Sequence, residues 1–402
     1  MKKNLSKVYI VAAKRTPFGA FSGKLKGFTA NELGGLASKA ALSELPKGIK
    51  VDSIVFGNVN QTSVDAAYLA RHVGHRAGIP IETPALTINR LCGSGFQAVI
   101  NAVHEIQLGD SQIVLTGGTE SMSQAPHILR GARDGAKFGI DMKLEDSLAA
   151  ALVDRYPTPT PMGITAENLG NQYGITREDC DKFALSSQQR YAKASANKVF
   201  EAEIVPVEVK IRRKVELMSV DEHPRAETTL EGLGKLPSVF IKDTGLVSAG
   251  NASGICDGAA AVMVASQEAV EKYQLKPMAE IVGYHVVGVD PKIMGIGPVP
   301  AIRGALERAG LKLADMAQIE VNEAFAAQFL AVEKELGLDR SITNPHGGAI
   351  AIGHPLGASG ARILGHLAHQ MKKRGLPYTL GSACIGGGQG IAVVLKNVGD
   401  KF

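Results

Sequence analysis

Four residues in this chain could together carry covalent catalysis, and each lies in a glycine-rich or strand-to-helix stretch. Cys92 sits in Asn89-Arg90-Leu91-Cys92-Gly93-Ser94-Gly95. Behind it, Phe96, Val99, Ile100, Val103 and Ile106, with Gly109 as a stop, predict a helix, and residues 83–88 predict a short buried strand. A cysteine at such a junction meets the unpaired amides and positive dipole end of the helix, which favour the thiolate and lower its pKa. Gly93 and Gly95 let a substrate approach the backbone closely. The alternative is a small buried hydrophobe in a tight turn, since free cysteine is commonly buried.

His354 lies in the Gly/Pro-rich run 347–360, just before a helical pattern. An imidazole there can take the proton of a thiol nucleophile; a surface-loop histidine is the alternative. Cys384 lies in Gly381-Ser382-Ala383-Cys384-Ile385-Gly386-Gly387-Gly388-Gln389-Gly390, read as a turn after a strand. Its glycines could turn backbone amides towards a developing oxyanion. A phosphate loop is the rival, but no Gly-Lys-Ser/Thr follows. Asn322, in Val321-Asn322-Glu323-Ala324-Phe325, is either an oxyanion donor, directly or through water, or a helix N-cap.

Positioning such residues takes a rigid frame, and the flanking pattern supplies one. Strand-like runs at 8–13, 54–59, 83–88 and 112–116, the last closed by Gly117-Gly118, alternate with helical patterns at 29–43, 65–77 and after Cys92. That alternation predicts a parallel α/β sheet covered by helices on both faces. The pattern loosens over 120–248, where helices are predicted at 164–172 and at 177–195 behind a Thr176/Asp179 cap. A basic run, 210–214, lies in a strand-like segment. Regular order resumes with strands at 259–266, 281–289, 319–321, 378–380 and 391–395. Helices fill 300–309, the stretch from 322 to Leu336, and 361–374. A strand, an asparagine and a helix occur around both Asn89 and Asn322, which suggests an internal duplication.

The chain has 402 residues, 45% hydrophobic and 21% charged, enough for more than one core. A net charge of +5, with scattered basic residues, argues against a nucleic-acid partner. The four cysteines form no CxxC pair, so neither a zinc site nor a disulfide framework is suggested, and a reducing compartment follows. The basic start, 1–7, is followed by too short an apolar run for a secretory signal, and no stretch is long enough for a membrane span. The expected location is the cytoplasm, or the mitochondrial matrix in a eukaryote.

Taken together, the stretches around Cys92, Asn322, His354 and Cys384 resemble the four catalytic motifs of the thiolase family. The resemblance runs over nearly the whole chain, with further support at 117–123 and 248–254. Within the family the chain is most similar to the mitochondrial 3-ketoacyl-CoA type, notably at 290–302 and 381–391. The resemblance implies an α/β thiolase fold, two similar halves in five αβαβα layers with an inserted loop domain. The halves would be 1–119, completed by about 249–272, and 273–402, with the loop domain at 120–248. It implies an acyltransferase that cleaves 3-ketoacyl-CoA with coenzyme A through an acyl-cysteine. Cys92 is then the nucleophile, His354 its base and Cys384 the second acid/base. Asn322 and the Gly386 amide serve oxyanions. It also implies that Ser253 and Arg225 contact CoA, that Leu152, Met162, Ala324 and Phe325 line the tunnel, that no metal or permanent cofactor is needed, and that the chain forms a homodimer or homotetramer. Cys180 and Cys256 match no catalytic motif. Pro161 departs from the histidine common in acetoacetyl-CoA-forming members, which favours a degradative enzyme over that alternative. A ketoacyl synthase would lack Cys384, and a non-catalytic acyl-CoA-binding protein would have lost a motif.

Overall fold

The strands of this chain are apolar on both faces, so they fit only a sheet sandwiched between helical layers. The computed structural model describes residues 6–399; most of the basic start, 1–5, lies outside the described residues. Ten strands form one sheet: β1 (Val8–Arg15), β2 (Gly19–Ala20), β3 (Ser53–Gly57), β4 (Ala85–Ile88), β5 (Ile113–Ser121), β6 (Cys256–Ser266), β7 (Ala279–Gly288), β8 (Gln318–Val321), β9 (Tyr378–Ile385) and β10 (Gln389–Lys396). Their order is β8-β9-β10-β7-β1-β6-β5-β3-β4, with β2 on β6.

That order is one pattern written twice. In the first half β1, β6 and β5 run antiparallel in turn, then β5, β3 and β4 run parallel. In the second half β7, β10 and β9 run antiparallel, then β9 and β8 run parallel, and Thr343 bridges Ile319 in the fifth position. The halves meet where Tyr9 pairs with Glu280 and Ile10 with Ala279. The duplication suggested by the sequence is present, but its register is different. Asn322 follows β8, whose counterpart is β3, so its equivalent is Asn58 and not Asn89.

The helices that matter are α1 (Ala30–Ser43), α2 (Leu69–Ala77), α3 (Ser94–Leu108), α4 (Met162–Tyr173), α5 (Arg177–Ala196), α6 (Pro298–Ala309), α7 (Ala326–Leu336) and α8 (Leu356–Arg374). Three cores separate them into layers. The middle core holds α3 and α8 against Val8, Ile10, Val262 and Val264 of the first half and Ile391, Val393 and Leu395 of the second. Alternate residues of the same strands face outwards: Tyr9, Ala261 and Met263 pack on α1 and α2, and Ala392 and Val394 on α6 and α7. This is the period-two alternation of a strand, with both faces buried. Local signals set the helix ends. Thr29 and Glu32 form a capping box before α1, as do Thr176 and Asp179 before α5. Left-handed Gly109 and Gly310 stop α3 and α6.

Where the sequence reading placed turns, the chain keeps its regular structure. Gly117 and Gly118 lie inside β5, Gly381 to Cys384 inside β9, and Leu356 to Gly360 in the first turns of α8. The reason is close packing. A Cβ on Gly118 would lie 1.8 Å from the Gly357 carbonyl oxygen, and one on Gly360 would lie 2.3 Å from the Phe96 nitrogen.

Residues 120–248 form an excursion with its own pieces, including a hairpin of 207–211 with 214–218 that turns at left-handed Arg212. The basic run 210–214 is therefore a hairpin tip. A buried ionic knot ties the excursion to the core. Arg15 bonds Asp221 and Glu203 at 2.7 Å each, and Glu203 also bonds His366 of α8 at 2.7 Å. Burial works against the Glu203 charge, but His366 and Arg15 outweigh it and hold the carboxyl well below its usual range.

The crossing glycines define the first expected outcome. Gly118→Ala forces backbone against backbone, and overpacking of this kind costs about 1–3 kcal/mol or more. Its melting temperature should fall by several degrees, whereas Gly27→Ala, with no atom within 4 Å of the new methyl, should melt like the parent protein.

Candidate active site

Cys92 stands on a strained elbow between β4 and α3. Leu91 before it has a φ of 46°, an uncommon left-handed conformation for leucine. The elbow is held from both sides: Asn89 Oδ1 accepts from Leu91 N at 2.9 Å, and Ser94 Oγ donates to Leu91 O at 2.7 Å. A Cβ on Gly93 would lie 2.5 Å from Ile385 Cδ1, so the side chain of Ile385 packs directly on this glycine. Cys92 is only partly buried and packs beside Met122, Leu148 and Leu356.

The topological twin of this elbow carries the imidazole. Cys92 is the second residue before α3, and His354 is the second before α8. His354 Nδ1 lies 2.6 Å from Ser359 Oγ, which itself donates to Pro355 O. The hydroxyl therefore accepts from an Nδ1–H, and Nε2 carries the lone pair. Asn322 Nδ2 donates to that Nε2 at 3.3 Å. Asn322 is not an N-cap: Phe325 caps α7, with Gln328 Oε1 accepting from the Ala324 and Phe325 amides. The buried Asn322 Oδ1 accepts no protein hydrogen bond.

Cys384 is fully buried near the end of β9, in a small apolar cluster with Met294 and Ala324, flanked by Met162 and Phe325. The turn expected around it lies one step further on, where Gly387 and Gly388 have φ of 76° and 79°. The Gly386 amide points back at Cys92 and favours its thiolate, as does the backbone amide of Cys92 itself. Cys384 is near enough that a Cys92 charge raises its own pKa, with burial the larger cause.

The depressed thiol pKa expected from the helix dipole is not found. Burial pushes Cys92 up to about 11, outweighing the two amides, and the nearby Glu120 carboxylate adds to the rise. Burial holds His354 down at about 4, with Arg362 opposing its protonation as well. The resting pair is therefore a neutral thiol and a neutral imidazole. The helix begins at Ser94, so Cys92 lies outside its first turn and receives only part of the dipole's support.

The expected CoA-side residues separate into two groups. Met162, Ala324 and Phe325 surround Cys384; Leu152 O accepts from Met162 N at 3.0 Å, and Ser253 N donates to Ala324 O at 3.0 Å. Arg225 is exposed, and its backbone is tied to Gln188 of α5 at 2.9 Å, next to His223 rather than beside the thiols. Sequence reading missed Ser359 and His223. His223 Nδ1 donates to Ala351 O at 2.9 Å, and its ring lies over Gly254, where a Cβ would meet it at 2.0 Å. The Gly254 carbonyl in turn accepts from His354 N at 2.9 Å. A surface cavity of about 940 Å³, lined by Lys14, Lys198, Lys276 and Lys373, includes none of these residues.

Comparison with known proteins places this arrangement. The family model described as "Thiolase, N-terminal domain" matches residues 8–268, and "Thiolase, C-terminal domain" matches 275–397. The chain is 59% identical over 392 residues to the mitochondrial 3-ketoacyl-CoA thiolase of Mus musculus, covering 97% of this chain and 98% of that one. It superposes on human mitochondrial 3-ketoacyl-CoA thiolase in complex with CoA with a TM-score of 0.95, at 59% identity and 98% coverage of each chain. The acetyl-CoA acetyltransferase of Bacillus anthracis matches with a TM-score of 0.94 at 44% identity, covering 98% of this chain and 99% of that one. With both family models matched end to end and the α/β fold shared throughout, this chain belongs to the thiolase family.

Proposed function

We propose that the chain is an acyltransferase that cleaves 3-ketoacyl-CoA with coenzyme A, releasing acetyl-CoA and a shortened acyl-CoA. The observation that carries this reading is the Gly386 amide bonded to the Cys92 thiol with buried Cys384 beside it, and a His354 whose Nε2 lone pair is fixed by Ser359 on the twin elbow. Higher identity to the 3-ketoacyl-CoA relative than to the acetyl-CoA acetyltransferase supports it. So does Pro161, directly before Met162, which packs on the Cys384 cluster.

The Cys92 sulfur attacks the keto carbon while its proton passes to His354 Nε2. Because the thiol sits near 11 and the imidazole near 4, the proton moves as the carbon–sulfur bond forms, not before. The tetrahedral oxyanion is held by the Cys92 and Gly386 amides. The bond between the α and keto carbons breaks, the acyl group stays on Cys92 as a thioester, and the electron pair becomes the acetyl-CoA enolate. His354 Nε2–H and a water on Asn322 hold the enolate oxygen. Cys384 gives its proton to the α-carbon. The thiol of CoA then attacks the acyl-cysteine, its proton goes to the Cys384 thiolate, and the proton on His354 returns to Cys92. Both groups end as they began. Coenzyme A is a co-substrate in this scheme. Ser253 would contact its pantetheine arm and Arg225 its nucleotide end, while Leu152, Met162, Ala324 and Phe325 line the acyl tunnel.

The corresponding division of the chain is 1–119 completed by about 249–272, then 120–248 as loop domain, and 273–402. A homo-oligomer is supported by β4, whose outer edge has no partner strand among the described residues, and by exposed Val64, Tyr68, Ile81 and Leu86 nearby. An unpaired apolar edge of this kind is normally covered. The named mitochondrial relative supports the mitochondrial matrix as the location in a eukaryote.

Two partial reactions separate the roles of the thiols. Cys384→Ala should still form acetyl-enzyme on Cys92 from acetyl-CoA, yet fail to exchange the α-hydrogens of acetyl-CoA with solvent deuterium, and thiolysis should collapse. Normal exchange without acetyl-enzyme would invert the assignment. Thiol reactivity should follow burial. Cys180 is raised by burial to about 12, and burial raises Cys256 and Cys384 as well, whereas Cys92 is only partly buried and two backbone amides favour its thiolate. Brief alkylation and peptide mapping should label Cys92 first, at a rate that climbs with pH through the neutral range, and acetyl-CoA should protect it. Earlier labelling of Cys180 or Cys256 would contradict this. His354→Ala removes the proton acceptor, so kcat for thiolysis should fall by about 10²–10⁴-fold; retention of a tenth of the activity would rule the role out.

A further inference from the structure

The repeated topology points to a residue that the reaction scheme does not use. In the second half Val321 of β8 pairs with Ser382 of β9, and in the first half Gly57 of β3 pairs with Gly118 of β5. One residue beyond the first member of each pair stand Asn322 and Asn58. Two residues beyond the second stand Cys384 and Glu120. Glu120 is therefore the first half's counterpart of the acid/base thiol. It is fully buried, and burying a carboxylate is costly unless it is thoroughly hydrogen-bonded.

It bonds the start of α8 beside the His354 elbow directly, and reaches the Cys92 elbow only through Val59 and Asn89. Oε2 accepts from Gly357 N at 2.8 Å. Gly357 lies in the first turn of α8, which also carries Ser359, the partner of His354 Nδ1. Oε1 accepts from Asn58 Nδ2 at 2.8 Å and from Asn60 N at 3.0 Å, and both oxygens lie within 3.2 Å of Val59 N. Val59 O in turn accepts from Asn89 Nδ2 at 3.2 Å, and Asn89 Oδ1 holds Leu91 N beside Cys92. One carboxylate thus spans from the imidazole's turn to the nucleophile's turn. No other acceptor serves Gly357 N in this arrangement, because a first-turn helix amide has no partner in its own helix.

We propose that Glu120 is a positioning residue that fixes His354 relative to Cys92 for acyl transfer, a role that rests on the reaction assigned above. A misplacement of about 1 Å between reacting groups can cost about 10²-fold in rate. The carboxylate's own setting fits a group retained for geometry. Burial, with Asp257 of β6 adding to it, raises its pKa to about 7, even though the Asn60, Gly357 and Val59 amides favour the charge.

The test is Glu120→Gln, which keeps the shape but turns an NH2 towards backbone donors. Steady-state thiolysis should show kcat lowered about 10–100-fold, with KM for CoA within about threefold because CoA is held elsewhere. Removing a negative neighbour alone would speed alkylation of Cys92, so slowed alkylation in Glu120→Gln marks displacement of the base. The double variant Glu120→Gln/His354→Ala should be no slower than His354→Ala alone, since both changes act through one imidazole. Glu120→Asp, which keeps the charge but is too short to reach Gly357, should behave like Glu120→Gln. A wild-type kcat in Glu120→Gln, losses that multiply in the double variant, or failure of both Glu120 variants to fold would overturn the proposal. A wild-type protein with no thiolysis would overturn the assigned reaction instead. The alkylation arm of the same cycle would still read the Glu120 role.

Discussion

Helices α3 and α8 cross with backbone against backbone, and the rest of the molecule depends on that contact. A Cβ on Gly95 would lie 2.5 Å from Ala361 N, and one on Gly360 would lie 2.3 Å from Phe96 N. Helices normally pack 8–10 Å apart with side chains between them. Here glycine removes the side chains, so the starts of the two helices, and the elbows that precede them, come together. The two half-sheets supply the walls of this middle layer, and the outer helices cover what the sheets would otherwise expose. The close crossing explains why glycine is needed in β5 and in the first turns of α8, where local propensity would favour almost any other residue.

The same crowding sets the electrostatics. A site built from backbone contacts excludes water, so each ionisable group is held in its neutral form unless a specific donor or charge opposes the burial. Cys92 and His354 move in opposite directions for one cause. The neutral pair spares the protein a buried ion pair in its resting state; in the reaction proposed above, charge would arise only once a substrate carbonyl is there to receive it. Fixed amides then act at full strength, because no solvent has to reorganise around them.

Much of this was legible in the sequence. Residue type and glycine content singled out Cys92, His354, Cys384 and Asn322, and strand–helix alternation located most elements to within a few residues. Gly109, Gly310 and the Thr176/Asp179 pair marked helix ends because those signals are local. What local pattern could not supply was the purpose of glycines serving distant contacts. Gly117, Gly118, Gly357 and Gly381 looked like breakers yet lie inside regular elements, because their partners are far away in the chain. Burial also overrode the dipole at Cys92, and depth cannot be seen from neighbours in sequence. The Asn58–Glu120 pair carried a faint signal: a strand ending in asparagine at 53–58 repeats the one at 318–322. The weaker match around Asn89 drew attention away from it.

The halves of the sheet touch through two residue pairs, Tyr9 with Glu280 and Ile10 with Ala279. A seam so narrow would serve as a hinge in many two-lobed enzymes, opening a cleft for each turnover. Here it cannot flex, because the same two helices are shared as the inner wall of both lobes. Parting the lobes would tear α3 from α8 at the catalytic elbows. The molecule is in effect a vice that folds already shut. Met162 of the excursion and Phe325 of the core both flank Cys384 inside that shut frame.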